Sequence, residues 1–481
     1  MSARYILALD QGTSSCRAVA VDETGAICAQ KSILFSPQRP AKGLSQYDAQ
    51  SLLHAQLQVL HELLDQLGPE QVAAIGVCSQ RSSVVLWDKN TAQPLAPVLT
   101  WEDGRACQES ADVGLTQAQV HAQTGLFNTP YFSAPKIAWC LKNYPISAQA
   151  AQAGTLLAAP IASYLIWHLT QGAVFATDPT LAQRTLLWNI QTAAWDEHLC
   201  AAFGVPLACL PPVRPSAADY GTYIYKGVAI PIGACVADQQ AAAFYQGLAA
   251  GKTLINYGTG AFVLHHTGRE LTILPGMLSS LAATTQPGEK SFLLEGPVFA
   301  AGSVLEWLKQ VKGLRFDVQE LDTLCARAQQ PVRFLPALGG LGAPYWDYRV
   351  GPTAQQVTAQ TTTADWVAGA LDGIAGLVAD IVYYLRANGL PVDGPVYGAG
   401  GLSQSRYLLQ RQADLLQVAL AVCPQTESTV LGSAWLTAQA RGIMLKNPRE
   451  QLPCMISPQR SVLQTQQAYE QWQIFVKNCR K

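Results

Sequence analysis

A polar segment close to the start of the chain has the groups needed to hold a phosphate chain. It reads Asp10-Gln11-Gly12-Thr13-Ser14-Ser15-Cys16-Arg17. A tight glycine-containing turn offers backbone N–H groups to an anion, the three consecutive hydroxyls offer further donors, and Arg17 can fork onto phosphate oxygens. Asp10 can hold Mg²⁺ directly or through water. An ordinary polar hairpin has the same composition, so this segment predicts a phosphate site only together with others.

Two glycine-containing turns further along the chain add to this prediction. Gly258-Thr259-Gly260 lies between strand-like stretches, and its glycines would let the backbone approach an anion while Thr259 donates its hydroxyl. Gly398-Ala399-Gly400-Gly401-Leu402-Ser403 lies between a strand-like stretch and a helix-like run, so it can admit the flat face of a nucleotide. It lacks the spacing of a dinucleotide fingerprint, and each turn alone also fits a structural role.

A single carboxylate at the end of an apolar strand is the candidate for proton transfer. Ala237-Asp238-Gln239-Gln240 follows the strand-like residues 230–235. A carboxylate in that position can act as general base towards an alcohol, which is a poor nucleophile until its proton is removed. A helix N-cap for the alanine-rich run that follows fits the same spacing, and the residues alone leave both alternatives open.

The elements that must position these groups alternate between strands and helices, which indicates an α/β fold. A strand–turn–strand unit surrounds the first polar turn and is repeated around Gly258-Thr259-Gly260, so the chain contains two versions of one unit. The longest helical apolar spacing runs from residue 363 to 388. We expect a domain boundary near residues 243–250, with two lobes that face each other across a cleft.

Composition excludes several other classes of protein. The chain has 481 residues, enough for two or more domains, and its 32 Lys+Arg and 33 Asp+Glu give a net charge of −1. Only 14% of residues are charged, so no bulk attraction to nucleic acid or to a membrane surface is expected. Twelve scattered cysteines without a C-x-x-C pair argue against a disulfide framework or a zinc knuckle. We expect a cytoplasmic protein in which most cysteines are small buried hydrophobes.

Eight segments, in order along most of the chain, resemble the FGGY carbohydrate kinase family, and among its members they are most similar to glycerol kinases. These segments are Asp10-Gln11-Gly12-Thr13, Ser79-Gln80-Arg81, Thr100-Trp101-Glu102-Asp103-Gly104-Arg105, Pro130-Tyr131-Phe132-Ser133, Ala237-Asp238-Gln239-Gln240, Tyr257-Gly258-Thr259-Gly260, Leu341-Gly342-Ala343-Pro344-Tyr345-Trp346-Asp347 and Gly400-Gly401. Each is weak separately, and their common order carries the resemblance.

The resemblance implies a fold and a reaction. The fold would be two ribonuclease-H-like lobes of the actin and hexokinase kind around a central nucleotide cleft. Residues 1–245 would form the lobe that binds substrate and phosphates, and residues 246–481 the lobe that binds the nucleotide. The reaction would be in-line transfer of a phosphoryl group from Mg²⁺-ATP to a hydroxyl of a small polyol or sugar, such as a glycerol-like polyol, a ketopentose or a sugar acid.

Residue roles follow from the same resemblance, position by position. Asp10 matches the metal-associated acid, and Asp238 matches the catalytic base that takes the proton of the acceptor hydroxyl. The first phosphate loop comprises Thr13, Ser14, Ser15 and Arg17. The nucleotide contacts are Thr259, Gly302 and Gly401. The substrate contacts are Arg81, Ser82, Trp101, Asp103, Tyr131, Asp238 and Gln239.

Two positions depart from the glycerol kinase pattern. Glycerol kinases have Gln-Arg-Glu where this chain has Gln80-Arg81-Ser82, so a carboxylate that would accept hydrogen bonds from substrate hydroxyls is missing. Asp103 lies in a W-x-D-x-R sequence similar to that of ketopentose and gluconate kinases of the same family. Asp103 would either replace the missing acid as a hydroxyl acceptor or pair with Arg105, and the identity of the acceptor stays open.

Two rival functions share parts of this pattern. An actin-fold ATPase that drives a partner would need the hairpins but not Trp101, Tyr131 and Gln239 around the base. A sugar-binding pseudokinase would not need Asp10 and Asp238. The expected partner is therefore a small-molecule polyol or sugar, without nucleic acid or membrane, and a homodimer is compatible with the low charge.

Overall fold

The structure is a computed structural model that describes residues 4–422, 427–446 and 454–481. Contacts divide these residues into two compact units. Unit 1 comprises residues up to 247, then 279–292, then the segment that begins at residue 428. Unit 2 comprises residues 248–278, 293–427 and the segment that includes 454–481. The chain therefore leaves unit 1 after residue 247, and two later segments return to it.

Unit 1 contains strands and helices in alternation. Its strands are β1 (Tyr5–Gln11), β2 (Ser15–Val21), β3 (Ile27–Leu34), β4 (Gln46–Tyr47), β5 (Val72–Ser79), β6 (Val84–Asp88), β7 (Val98–Leu99), β8 (Leu156–Pro160), β9 (Trp188–Asn189), β10 (Ala194–Trp195), β11 (Thr222–Tyr225) and β12 (Val228–Ala237). Its helices are α1 (Ala49–Leu67), α2 (Cys107–Ala111), α3 (Gln117–Thr124), α4 (Ser133–Asn143), α5 (Pro145–Gln152), α6 (Ile161–Leu169), α7 (Pro179–Gln183), α8 (Glu197–Phe203), α9 (Asp238–Tyr245) and α14 (Ser428–Ala440).

The main sheet of unit 1 has the strand order β11-β12-β5-β1-β2-β3. β1 pairs in parallel with β5, which pairs in parallel with β12, while β2 and β3 complete an antiparallel meander. Residues 6–9 of β1 are all apolar because both faces of the strand are covered: Leu7 and Leu9 belong to one core, and Ile6 and Ala8 to another. A smaller sheet has the order β4-β7-β6-β8.

Helix α14, late in the sequence, covers one face of the main sheet. Its residues Val430, Leu431 and Ala434 pack with Ile6 and Ala8 of β1 in one apolar cluster. Gly76 in β5 allows this approach, because a Cβ atom there would overlap the side chains of Thr437 and Ser433 on α14. The centre of the sheet is therefore closed by a segment from the C-terminal part of the chain.

Unit 2 is built on a second sheet, in which neighbouring strands follow the order β16-β14-β13-β19-β20-β21. Its strands are β13 (Thr253–Tyr257), β14 (Ala261–Gly268), β16 (Phe292–Val298), β17 (Arg333–Leu335), β18 (Thr353–Gln355), β19 (Val396–Ala399), β20 (Leu420–Val422) and β21 (Cys454–Ile456). One further strand, β15 (Leu278–Leu281), begins in unit 2 at Leu278 and continues into unit 1. The helices of unit 2 are α10 (Gly302–Gln310), α11 (Leu321–Cys325), α12 (Thr363–Ala387), α13 (Arg406–Leu416) and α15 (Val462–Cys479).

The long helix α12 forms the centre of the unit 2 core. Thr362 caps it in a capping box with Asp365, and its apolar face packs with Phe334, Leu408 and Phe475 in one cluster. It is the one described helix long and apolar enough to cross a membrane, and 89% of its most apolar window is buried inside the protein. That burial is the property of a core helix.

Candidate active site

The candidate site of unit 1 lies at the carboxyl ends of three neighbouring parallel strands. Asp10 of β1 is opposite Cys78 of β5, and Val236 of β12 is opposite the same Cys78. Asp238 follows Val236 by two residues, at the start of α9. Parallel strands end at the same edge of a sheet, so the fold brings Asp10 and Asp238 to one edge although they are far apart in sequence.

The thiol of Cys78 contacts Asp10 and is affected by the charges of both carboxylates. Burial raises the pKa of this thiol well above its usual value, and the negative charges of Asp10 and Asp238 raise it further. Its Sγ lies 3.7 Å from Asp10 Oδ1. Because a thiol that stays protonated is a poor nucleophile and a poor metal ligand, the chemistry at this edge depends on the carboxylates.

Asp10 and Arg17 form an ion pair across the first hairpin. They are opposite each other in the antiparallel pair of β1 and β2, and Arg17 Nη2 and Nε lie 2.6 Å and 3.1 Å from Asp10 Oδ2. The Arg17 side chain is 27% exposed and the Asp10 side chain 8%. The carboxylate is therefore mostly covered, while part of the guanidinium remains accessible to a ligand.

The turn between β1 and β2 is held by aromatic residues of unit 1. Tyr47 OH donates to Thr13 O at 2.5 Å, and Trp101 Nε1 donates to Thr13 Oγ1 at 2.9 Å. Ser14 is exposed, and Thr13 and Ser15 are half-buried. Since the Thr13 hydroxyl accepts from Trp101, its own proton is left to donate to a ligand. The turn is thus a fixed element that presents three consecutive hydroxyls.

Asp238 is the first residue of α9 and is more accessible than its cationic neighbour. Its Oδ1 accepts a hydrogen bond from the N–H of Gln239 at 2.7 Å and lies 3.7 Å from Arg81 Nε. The Asp238 side chain is 29% exposed, whereas that of Arg81 is 4% exposed. Ala237, not Asp238, occupies the N-cap position, so the structure disagrees with the N-cap alternative. Asp238 is a carboxylate held by a buried cation and reachable by a substrate.

A buried acid and hydroxyl hold the end of the strand that carries Asp238. Thr180 Oγ1 accepts a hydrogen bond from Ala237 N at 3.0 Å and donates to Asp178 Oδ2 at 2.8 Å. Burial raises the pKa of Asp178 to about 6, although Ser216 Oγ donates to it at 2.6 Å. These contacts fix the backbone immediately before Asp238.

Of the predicted acceptor contacts, the segment of Arg81 and Ser82 lies beside Asp238, and Trp101 lies beside Tyr131. Arg81 pairs with Asp238, and Ser82 follows it with a left-handed φ of 63° and a buried Oγ that makes no hydrogen bond within the described residues. The rings of Trp101 and Tyr131 lie 5.6 Å apart, and both side chains are half-buried. The two rings can pack against the carbon chain of a polyol, while the guanidinium of Arg81 and the hydroxyl of Ser82 bind its oxygens.

Asp103 does not join this group. Both of its oxygens accept hydrogen bonds from Arg105, at 2.8 Å each, and Oδ2 also accepts from Ser45 N at 2.6 Å. Its side chain is fully buried. The structure thus favours the second of the two alternatives for Asp103, pairing with Arg105, because its lone pairs are already used to fix the loop.

Unit 2 brings its own three predicted residues together. β13 and β19 pair in parallel with Asn256 opposite Ala399, so the Gly-Thr turn after β13 and the glycine turn that contains Gly401 follow adjacent strands. Gly302 N donates to Gly258 O at 2.9 Å, which joins the start of α10 to the first turn. Thr259 and Gly401 are exposed. Exposed backbone at the ends of neighbouring strands is suited to a nucleotide.

The residues around Asp10 fit a magnesium ion that is bound mainly through a ligand. Mg²⁺ commonly uses one or two carboxylates together with substrate phosphates and water. Asp10 supplies one such carboxylate, and no group of three His, Cys, Asp or Glu side chains that could form an all-protein site occurs among residues 4–422, 427–446 and 454–481. A metal held by Asp10 and by the phosphates of ATP agrees with this donor set.

The sequence interpretation missed several residues that support the site. Tyr47 and Thr180 act on backbone atoms far away in sequence, and no local signal marks them. Lys136 lies on the same face of helix α4 as Cys140 and is completely buried there, but the sequence interpretation did not predict this helix. A lysine on an apolar helix face is unusual.

The comparisons with known proteins agree with this arrangement. The N-terminal domain of the FGGY family of carbohydrate kinases matches residues 5–245, and the C-terminal domain of the same family matches residues 253–441. The chain belongs to the FGGY family. This FGGY kinase is an ATP-dependent phosphotransferase with an alcohol group of a small carbohydrate as acceptor, and it has the two-lobed fold expected from the sequence.

Individual relatives match nearly the whole FGGY chain. Glycerol kinase from Thermus brockianus is 38% identical over 451 residues, which cover 92% of this chain and 90% of the relative. Glycerol kinase from Alcanivorax borkumensis is 36% identical over 482 residues, which cover 97% of each. The crystal structure of Plasmodium falciparum glycerol kinase with ADP has a TM-score of 0.91 at 26% identity, and the match covers 99% of this chain and 98% of that one.

Proposed function

We propose that Asp238 is the general base of this kinase and that it takes the proton of an acceptor hydroxyl as the phosphoryl group is transferred. The arrangement at the sheet edge carries the proposal: Asp238 is 29% exposed, and a buried Arg81 lies 3.7 Å away. A charged neighbour of this kind orients the carboxylate, and its open side leaves room for an alcohol. Gln239, which follows in the same helical turn, is assigned to the substrate.

The phosphate side of the reaction is assigned to the first hairpin. Arg17 and the hydroxyls of Thr13, Ser14 and Ser15 would neutralise the charge that spreads over the transferred group. Asp10 would hold Mg²⁺ together with the phosphates, and the ion would supply further charge neutralisation. The ion pair between Arg17 and Asp10, at 2.6 Å, supports the role of Arg17, because the carboxylate holds the guanidinium in place before the phosphates bind.

The nucleotide is assigned to the turns of unit 2. Thr259 would donate its hydroxyl, Gly302 would let the start of α10 approach the phosphates, and Gly401 would lie on the adenine side. The exposure of Thr259 and Gly401 at neighbouring strand ends supports this assignment. The solved relative from Plasmodium falciparum was determined with ADP.

The acceptor is proposed to be a small polyol or sugar that contacts Arg81, Ser82, Trp101 and Tyr131. Glycerol is a candidate because the relatives are glycerol kinases. The absence of a carboxylate at Ser82 makes longer polyols, ketopentoses and sugar acids further candidates, since a smaller side chain leaves volume there.

The unpaired cysteines among the described residues support a reducing compartment such as the cytoplasm.

The proposed function is tested by measuring ADP release with a panel of acceptors. Glycerol, erythritol, ribitol, ribulose, xylulose and gluconate would each be compared with a reaction without acceptor. Acceptor-dependent ADP release together with a phosphorylated product supports the proposal. Equal ADP release without any acceptor would instead indicate a partner-driven ATPase, and nucleotide binding without turnover would indicate a pseudokinase.

A further inference from the structure

A completely buried lysine lies beneath the acceptor side of the site. Lys136 is in the first turn of α4 and has no exposed surface. Its Nζ donates to the backbone oxygens of Ser82, at 3.4 Å, of Phe132, at 3.3 Å, and of Tyr131. An ammonium group has three donors, so these carbonyl oxygens can use all of them.

The first of these carbonyl oxygens belongs to a strained residue. Ser82 has a φ of 63°, a region that costs a residue with a Cβ atom about 1 kcal/mol or more. Its carbonyl oxygen accepts from Lys136 Nζ and from Ser133 Oγ, the latter at 3.2 Å. Both donors come from the first turn of α4, which therefore holds Ser82 in its conformation. Arg81, the residue before it, is the one that pairs with Asp238.

The other two carbonyl oxygens belong to Tyr131 and Phe132. Tyr131 is held by its backbone to Lys136, and its ring lies 5.6 Å from the ring of Trp101. Trp101 in turn donates to Thr13 in the first phosphate turn. One ammonium group thus connects the segment that carries Arg81 with the segment that carries Tyr131.

Within residues 4–422, 427–446 and 454–481, no acidic side chain forms a direct ion pair with Lys136. The charge of Asp103 acts on Lys136, but Asp103 itself is paired with Arg105. Burial lowers the pKa of Lys136 to about 7, although Asp103 and Cys140 oppose this effect. The buried ammonium group is held by the three carbonyl oxygens, and its Nζ also lies 5.9 Å from the centre of the Tyr131 ring. The position of Lys136 and the positions of these segments therefore depend on each other.

We propose that Lys136 is a positioning residue for the acceptor: it fixes the Arg81-Ser82 segment and the Tyr131 segment at the spacing that the acceptor requires. The proposal rests on the proposed function, since it assumes that these two segments contact the acceptor. Lys136 does not touch the reacting atoms. Its loss should therefore weaken acceptor use and leave nucleotide binding intact.

The test compares Lys136→Met with Lys142→Met. Methionine has a similar length and is suited to a buried site, but it cannot donate to the carbonyl oxygens. Lys142 is on the same helix, its side chain is 66% exposed, and it lies 3.5 Å from Glu109 Oε1, so it serves as the matched control. We expect Lys136→Met to lower kcat/KM for the acceptor about 10- to 100-fold, as loss of hydrogen bonds from a charged donor would. The KM for ATP and the affinity for ADP should stay within about twofold of the parent, and Lys142→Met should change neither.

A second pair of variants separates positioning from stability. Ser82→Gly removes the strain, because glycine adopts positive φ freely. If Lys136 acts by holding Ser82, Lys136→Met should cost less in acceptor kcat/KM when Ser82→Gly is present, while the loss of thermal stability should stay the same. Full additivity of the two substitutions in kcat/KM would overturn the proposal, as would an equal loss of ADP affinity in Lys136→Met.

Failure of the proposed function gives a different result. If the parent protein shows no acceptor-dependent ADP release with any member of the panel, the assignment of the acceptor pocket fails before Lys136 is tested. If the parent protein is active and Lys136→Met keeps its acceptor kcat/KM within about twofold, only the inference on Lys136 fails.

Discussion

The two strand–turn–strand hairpins share one sequence pattern but offer an anion different groups. The hairpin of β1 and β2 carries the charged pair Asp10 and Arg17, and its turn is fixed by Tyr47 and Trp101. The hairpin of β13 and β14 carries no charged residue in its turn, Gly258-Thr259-Gly260, and is joined through its backbone to Gly302.

This difference indicates how one supersecondary unit can serve two parts of a nucleoside triphosphate. Side-chain charge suits the reacting phosphate, where negative charge must be neutralised in the transition state. Close backbone approach suits the part of the nucleotide that only has to be bound. We therefore expect substitutions at the site residues of unit 1 to change turnover, and substitutions at the site residues of unit 2 to change nucleotide affinity.

The largest effect is expected for Asp238→Asn. The amide keeps the shape of the side chain but cannot take a proton, so kcat should fall roughly 10²–10⁴-fold, the usual worth of a general base. Steady-state kinetics and ADP binding by calorimetry would measure the two effects. ADP affinity should be unchanged, and a parallel loss of ADP affinity would count against the separation of roles between the units.

Arg17→Met should have the next largest effect. Removal of the guanidinium leaves Asp10 without its partner and the phosphates without a cation, and loss of such a donor costs about 10²–10³-fold in kcat. Arg17→Lys keeps the charge but not the fork, so it should recover part of the loss. An effect confined to the KM for ATP, with kcat unchanged, would contradict the assignment of Arg17 to the transferred group.

Gly302→Ala and Gly401→Ala form a matched pair in unit 2. A Cβ atom at Gly302 would lie 2.9 Å from Gly258 O, so the backbone must shift, at a cost of about 1–3 kcal/mol in the free energy of unfolding. A Cβ atom at Gly401 meets nothing within 4 Å. Thermal unfolding without nucleotide should thus detect only Gly302→Ala, whereas the KM for ATP should rise in both. If Gly401→Ala leaves the KM for ATP unchanged, Gly401 does not contact the nucleotide.

The smallest effect is expected for Trp101→Phe. The ring remains, but Thr13 loses the donor at 2.9 Å, so kcat/KM should fall about 2- to 10-fold, as for one neutral hydrogen bond. Trp195→Phe is the control, because it also removes an indole N–H bond, to Pro211 O at 2.8 Å, but away from the site residues. Equal kinetic effects of the two substitutions would show that the bond to Thr13 has no specific role.

Local sequence patterns predicted several of the elements that carry the site and the core. The helix expected over 363–388 is α12, Thr363–Ala387, and the strand-like stretch expected before Gly398 is β19, which continues to Ala399. The first has a strong helical spacing of apolar residues, and the second is followed by a glycine-rich turn. Most of the cysteines described are buried, as expected; Cys423 lies outside the described residues.

The remaining features depend on contacts between residues far apart in sequence. The role of Asp103 was open from the sequence, because its hydrogen bonds from Arg105 and Ser45 and its complete burial appear only in the structure. The positive φ of Ser82 follows from the donors on α4, which the sequence around Ser82 does not contain. The return of residues 428–446 to unit 1 has no local signal, since α14 is an ordinary small-residue helix.

The position of α14 has a consequence for synthesis of the protein. Until the ribosome has released residues 428–440, the face of β1 that carries Ile6 and Ala8 lacks the apolar residues of α14 that cover it, although β1 is synthesised more than 400 residues earlier. Nascent chains of this enzyme should therefore carry exposed apolar surface for most of translation and depend on chaperones to avoid aggregation.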